Sequence, residues 1–170
     1  MKPRPLILCA LMAALTAAGA LLRIPLPPSA ITLQFFFALL SGILLGPPYG
    51  ALSQAVYVAL GLFGLPVFAA GAGFTAVAQP TFGFVLGLIG AAWVAGAMTR
   101  CRCTRRRIAL AGLAALAVVY AVGLPWMALF LPGLSFPSLL LAGMVPFLPG
   151  DAVKIALCCL IAPRLRQALR

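Results

Sequence analysis

From the N-terminus, the chain alternates long apolar runs with short stretches of proline, glycine and arginine. The first run, Leu6 to Leu22, stops at Arg23-Ile24-Pro25-Leu26-Pro27-Pro28, where prolines remove backbone donors and disfavour helix, so a structured loop is expected. A second run begins near Leu33, passes through Phe35, Phe36 and Phe37 to Leu45, and ends at Gly46-Pro47-Pro48. A third rises from Gly50 to Leu62 and breaks at Gly64-Leu65-Pro66. A fourth covers Thr81 to Met98 and a fifth Ile108 to Phe130, with Gly123 and Pro125 expected to bend it. The last is split: Ser138 to Val145 is short, Pro146, Pro149 and Gly150 interrupt it, and Asp151 to Ile161 resumes before Pro163, which predicts a broken final helix. Residues 67–80, with Gly71 and Gly73 among alanines, read as a loop or re-entrant segment that lines something, because irregular backbone at membrane depth is tolerated only against protein or a cavity.

The long runs lack the period-two alternation of barrel strands, and a bilayer crossing needs about 20 mainly apolar residues. The expectation is an all-α integral membrane protein of six transmembrane helices, forming a single membrane domain over residues 1–170. Composition agrees: 65% of residues are hydrophobic and 8% charged, too few charges to cover a water-soluble surface. The start, with Lys2, Arg4 and then small residues at Ala17 to Ala20, has the outline of a signal peptide. The apolar stretch leads straight into further spans, however, so an uncleaved first helix is expected.

A formal net charge of +11 would suggest nucleic acid in a soluble protein. Here its distribution fits topology instead. With the N-terminus inside, six crossings put Lys2, Arg4, the arginines from Arg100 to Arg107, Arg164, Arg166 and Arg170 on the cytoplasmic side, as the positive-inside rule requires of a plasma-membrane protein. Arg23 falls outside and Lys154 within the final helix.

Candidate chemistry is sparse. The chain has one acid, Asp151, and no histidine, so nucleophile-base pairs and the usual zinc sets lack their parts. Cys9, Cys101, Cys103, Cys158 and Cys159 form no CxxC pair, and Gly71 to Gly73 is too short for a phosphate-binding loop. An enzyme and a resident cofactor are therefore not expected. Asp151 and Lys154, three positions apart, share a helical face and can pair or converge on a ligand. Asp151 could instead cap a helix that starts after Pro149-Gly150. Thr32, Gln34, Gln54, Tyr57, Gln79 and Thr81 are candidates to line an outward-facing pocket with the pair, and Ala10, Ala14 and Ala18 form a small-residue stripe that another helix could approach closely.

Several ordered motifs resemble the BioY family, the biotin-binding S components of energy-coupling-factor (ECF) transporters. They are Ile24-Pro25-Leu26-Pro27-Pro28 with Ile31-Thr32-Leu33-Gln34, Leu44-Leu45-Gly46-Pro47, Gly50-Ala51-Leu52-Ser53-Gln54, Gly64-Leu65-Pro66-Val67-Phe68-Ala69, Pro80-Thr81-Phe82-Gly83, Gly123-Leu124-Pro125-Trp126 and Phe147-Leu148-Pro149-Gly150-Asp151 with Lys154. The segment Gly71-Ala72-Gly73 departs from the family's glycine-richer loop. The resemblance implies a six-helix subunit that captures biotin from outside, docks a transmembrane coupling protein through the Ala10, Ala14 and Ala18 surface, and relies on two partner subunits to hydrolyse ATP. It also implies ligand contact by Asp151 and Lys154, with Asp151 suited to the ureido N–H groups and Lys154 to the valerate carboxylate. A different vitamin or carboxylate, or a non-transport assembly role, remains open on the residues alone.

Overall fold

The structure is a computed structural model that describes residues 3–26, 29–69 and 71–168. Lys2, Pro27, Pro28 and Arg170 lie outside them. The element order is α1 (Pro3–Leu21), β1 (Arg23–Leu26), β2 (Ser29–Thr32), α2 (Gln34–Leu45), α3 (Pro47–Leu62), a short 3-10 turn (Gly73–Ala76), α4 (Phe82–Thr99), α5 (Arg105–Phe130), α6 (Phe136–Gly143) and α7 (Leu148–Ala168). With α6 and α7 counted as one path bent by 48°, the chain passes through the bundle six times.

Helix α2 is the hub. It packs against α1, α3, α4 and α7, and its buried residues run from Gln34 to Ile43. In lipid, contacts of this kind are held by van der Waals fit and close backbone approach rather than by escape from water. The turn from α2 into α3 is a single residue, Gly46, at φ 82°, a left-handed conformation that side chains other than glycine rarely adopt. Outward faces are apolar in their turn: Ile7, Leu113, Leu129 and Val153 are all exposed, as lipid contact requires.

Helices α1, α4 and α5 are each long and apolar enough to cross a bilayer. Helix α2, at 12 residues, rises only about 18 Å at 1.5 Å per residue. Its first residues, Gln34 and Phe35, line a chamber. The chain that leads into α2 is not helical, which is permitted where backbone lines a cavity.

The stretch after α1, expected as a structured loop, is an antiparallel hairpin in which Arg23 pairs with Thr32 and Ile24 with Ile31. Several boundaries also differ from expectation, among them α3, which starts at Pro47 rather than Gly50 because proline fits the first turn of a helix. Helix α5 starts at Arg105, with the Thr104 side chain accepting from the Arg107 amide at 3.4 Å, so Arg105 to Arg107 are its first turn rather than part of a loop. Helix α7 starts at Leu148, which places Pro149 where a missing N–H costs least. It also runs through Pro163 to Ala168, because one lost hydrogen bond near a helix end is affordable where other groups can solvate the carbonyl.

The two ends of the bundle differ in character. At one, Cys9 Sγ contacts the Tyr49 carbonyl at 3.2 Å, and the Arg166 guanidinium donates to the Thr99 and Arg100 carbonyls at 2.6 and 3.0 Å. This end gathers the start of α1, the α2–α3 turn, the α4–α5 connection and the end of α7. At the other, the Arg23 guanidinium donates to the Ala69 carbonyl, and Trp126 Nε1 donates to the Gln79 carbonyl at 3.2 Å. The hairpin, the 63–81 segment and the α6–α7 break meet there.

Candidate functional site

The break between α6 and α7 determines where the acid sits. Starting α7 at Leu148 puts Asp151 in its first turn and Lys154 one turn later, on the face that meets α5 and α2. Lys154 Nζ donates to Asp151 Oδ1 at 2.8 Å, and the Tyr120 hydroxyl of α5 donates to Asp151 Oδ2 at 2.8 Å. Among the described residues the carboxylate takes no backbone N–H of its own helix, so it does not act as a side-chain cap. Asp151 and Lys154 are only 6% and 7% exposed, which makes this a desolvated pair rather than a surface one.

Both residues line a chamber of about 470 Å³, within the ~300–1,000 Å³ range of small-molecule sites. Phe35, Phe68, Phe82, Phe84 and Phe147 supply an aromatic wall, with Leu88, Leu116 and Val119 below. The charged lining residues are Arg23, Lys154 and Asp151, two cations against one anion. Such a chamber favours a compact, largely apolar solute carrying a negative group and hydrogen-bond donors. Lys154 still has donors beyond the one that it gives to Asp151, since an ammonium carries three.

A chain of side-chain hydrogen bonds fixes one wall. Thr32 Oγ1 donates to Gln34 Oε1 at 2.8 Å, Gln34 Nε2 donates to the Tyr57 hydroxyl at 2.5 Å, and that hydroxyl donates to the Val67 carbonyl at 3.0 Å. The series joins the hairpin, α2, α3 and the 63–81 segment and sets the orientation of the Gln34 amide. Segment 67–80 does border the chamber, through Phe68, Ala69, Ala76, Gln79 and Pro80.

Of the residues expected at the lining, Thr32, Gln34, Gln79 and Thr81 are there together with Asp151 and Lys154. Tyr57 and Gln54 are not. Tyr57 is fully buried behind Gln34 and acts as its hydrogen-bond partner. Gln54 lies in α3 away from the chamber, its Nε2 among the hydroxyls of Thr16, Ser41 and Ser53 at 3.1–3.2 Å. A lone polar residue in an apolar run can face either a cavity or a neighbouring helix, and spacing alone does not distinguish the two. Ala10, Ala14 and Ala18 are exposed along α1, while Ala13 is buried against the bundle.

Sequence reasoning missed Tyr120, the aromatic wall and Arg23 as a lining residue. Tyr120 carried a signal: it is a tyrosine in an alanine- and valine-rich helix, and a buried phenol needs a partner. Its ring also packs edge-on against Phe84, with centroids 6.0 Å apart. Tyr120→Phe is expected to keep this packing but lose the bond that orients Asp151. Within the protein a hydrogen bond to a charged group contributes about 1.5–3 kcal/mol to stability, so the melting temperature should fall by a few degrees, and ligand affinity measured by isothermal titration should fall with it because Asp151 is no longer oriented.

The fold and the chamber define a class: a multi-pass membrane protein built around a small-molecule site. Comparison with known proteins narrows it. The chain belongs to the BioY family, whose model matches residues 1–170. It is 40% identical to the probable biotin transporter BioY of Lysinibacillus sphaericus, over 97% of this chain and 88% of that protein. It is 37% identical to the biotin transporter BioY of Thermotoga maritima, over 96% of each. The crystal structure of the S component for biotin from an ECF-type ABC transporter superposes with a TM-score of 0.85 at 28% identity, covering 98% of this chain and 92% of that one. The structure of FolT bound with folic acid shares the fold, with a TM-score of 0.65 at 19% identity. The family consists of transporter components rather than enzymes.

Proposed function

We propose that this chain is the substrate-binding subunit of a biotin uptake system: one membrane domain in the inner membrane with both ends cytoplasmic, capturing biotin in a chamber open to the outside. The observation that carries the reading is a chamber with two cations, one carboxylate and an aromatic wall in a BioY-family chain. Biotin offers matching groups, namely two ureido N–H donors, an apolar bicycle and a carboxylate. Asp151 accepts from the ureido N–H groups, the phenylalanines enclose the rings, and Arg23 takes the carboxylate at the far end. Lys154, 2.8 Å from Asp151, shares the ureido end, which corrects the expectation that it meets the carboxylate. The concentration of arginine at the opposite end of the bundle supports a cytoplasmic assignment for that end.

The chain has no phosphate-binding loop, so delivery depends on partners: a transmembrane coupling protein and two ATP-hydrolysing subunits, docked through the exposed Ala10, Ala14 and Ala18 stripe of α1. No cofactor of its own is required, and no nucleic acid is involved. Purified protein in detergent is expected to bind biotin by isothermal titration. Biotin amide should bind much more weakly and folic acid should not compete. Folded protein that binds no biotin, or binds folic acid equally well, overturns the reading. Copurification from native membranes tests the partners separately.

A further inference from the structure

The arginine-bearing end lacks internal counter-charge. The chain has 12 Lys and Arg residues against one acidic side chain, and that acid, Asp151, is committed at the chamber. Arg166 uses its guanidinium on the Thr99 and Arg100 carbonyls. Arg105 and Arg164 do not: both are exposed, and among the described residues neither guanidinium has a hydrogen-bond acceptor. They flank a groove of about 460 Å³ between the start of α5 and the end of α7, whose remaining walls are Leu160, Ile161 and Leu165. Those three are 54%, 38% and 37% exposed, so the groove is apolar, open to its surroundings and edged by two fixed cations. Beside it, Cys159 Sγ contacts the Arg105 carbonyl at 3.5 Å, which ties α7 to the start of α5. The N-terminus of α5, the positive end of its dipole, lies on the same side.

We propose that this groove binds an anionic phospholipid, its phosphate held between Arg105 and Arg164 and its glycerol and upper acyl carbons lying on Leu160, Ile161 and Leu165. The occupant must combine a negative headgroup with an apolar body at the membrane surface. Basic pockets between membrane helices take anionic lipid headgroups for this reason. The proposal does not depend on which solute the chamber holds.

Native mass spectrometry of the purified full chain, titrated with phosphatidylglycerol or with phosphatidylcholine of the same acyl chains, tests it. Phosphatidylglycerol should be retained preferentially. Arg105→Gln and Arg164→Gln should each weaken that retention by about fivefold, the typical effect of one basic residue at an anionic surface. Arg102→Gln, in the exposed turn between α4 and α5, should leave it unchanged, and all three variants should keep the wild-type melting temperature. Equal retention of both lipids overturns the proposal, as does an equal loss in Arg102→Gln, which indicates diffuse charge. Displacement of the lipid by millimolar inorganic phosphate also overturns it, in favour of a free-anion site. So does unchanged lipid retention with loss of a copurifying acidic protein, which makes the groove a protein interface.

Discussion

Asp151→Asn is expected to weaken biotin binding by roughly 10- to 150-fold, the equivalent of a charge-assisted hydrogen bond of about 1.5–3 kcal/mol. Asparagine keeps the shape and can still accept from Tyr120 or Lys154, so the helices remain in place, but the anion that faces the ligand's donors is gone. Lys154→Ala should do worse for an anionic ligand, because it leaves a carboxylate in the chamber with Arg23 as the remaining lining cation. Each single change also leaves a buried partner uncompensated, and breaking such a pair costs about 3–5 kcal/mol of stability. Loss of binding in either single variant therefore mixes two effects. Asp151→Leu with Lys154→Met separates them, since apolar replacements of similar volume often restore stability to a site whose ion pair has been removed. Melting of that double variant in detergent should return close to wild type while biotin binding stays lost. If the double variant binds biotin normally, the pair serves packing alone.

The sequence carried the site unevenly, for reasons visible at particular residues. Asp151 stood out because a lone acid in an apolar chain is costly and proline-glycine punctuation fixes where its helix begins. The six passes were legible from apolar runs and breaks. The hairpin was not, because prolines in Arg23–Thr32 argue against helix without specifying strand pairing. The split of the polar residues was equally hidden: Gln34 and Gln54 are alike in spelling and setting, yet one borders the chamber and the other ties α1, α2 and α3 together. That difference depends on which helix lies opposite, which is tertiary information. Tyr120 illustrates the same limit, since its acceptor is 31 positions away.

Glycines shape the opposite end as strongly as charge shapes the chamber, and Gly42→Ala is expected to have the largest effect on the fold of any single methyl addition in α2. A Cβ at Gly42 would sit 2.1 Å from the Ala92 carbonyl oxygen of α4, and the neighbouring carbonyl carbon is 2.9 Å away. Those are backbone atoms, so no rotamer change relieves the clash and α2 and α4 must separate. The same junction is tight from other directions: a Cβ at Gly50 of α3 would lie 2.6 Å from the Gly42 Cα, and one at Gly96 of α4 would lie 2.5 Å from the Pro47 nitrogen. Overpacking of this kind typically costs about 1–3 kcal/mol, occasionally more. Because α2 also carries Gln34 and Phe35 into the chamber, its displacement should reduce biotin binding although Gly42 is remote from the ligand. Gly90→Ala on α4 is the matched control. Its added carbon meets one side-chain methyl, Val118 Cγ1, at 2.9 Å; valine is stiff at χ1 in a helix, so a small shift is needed, and it is partly offset by the roughly 1 kcal/mol of helix propensity that alanine gains over glycine. Melting in detergent should therefore fall by several degrees for Gly42→Ala and by clearly less for Gly90→Ala. Equal melting of the two variants would show that α2 and α4 can part without loss, and that the close glycine contact does not hold the bundle.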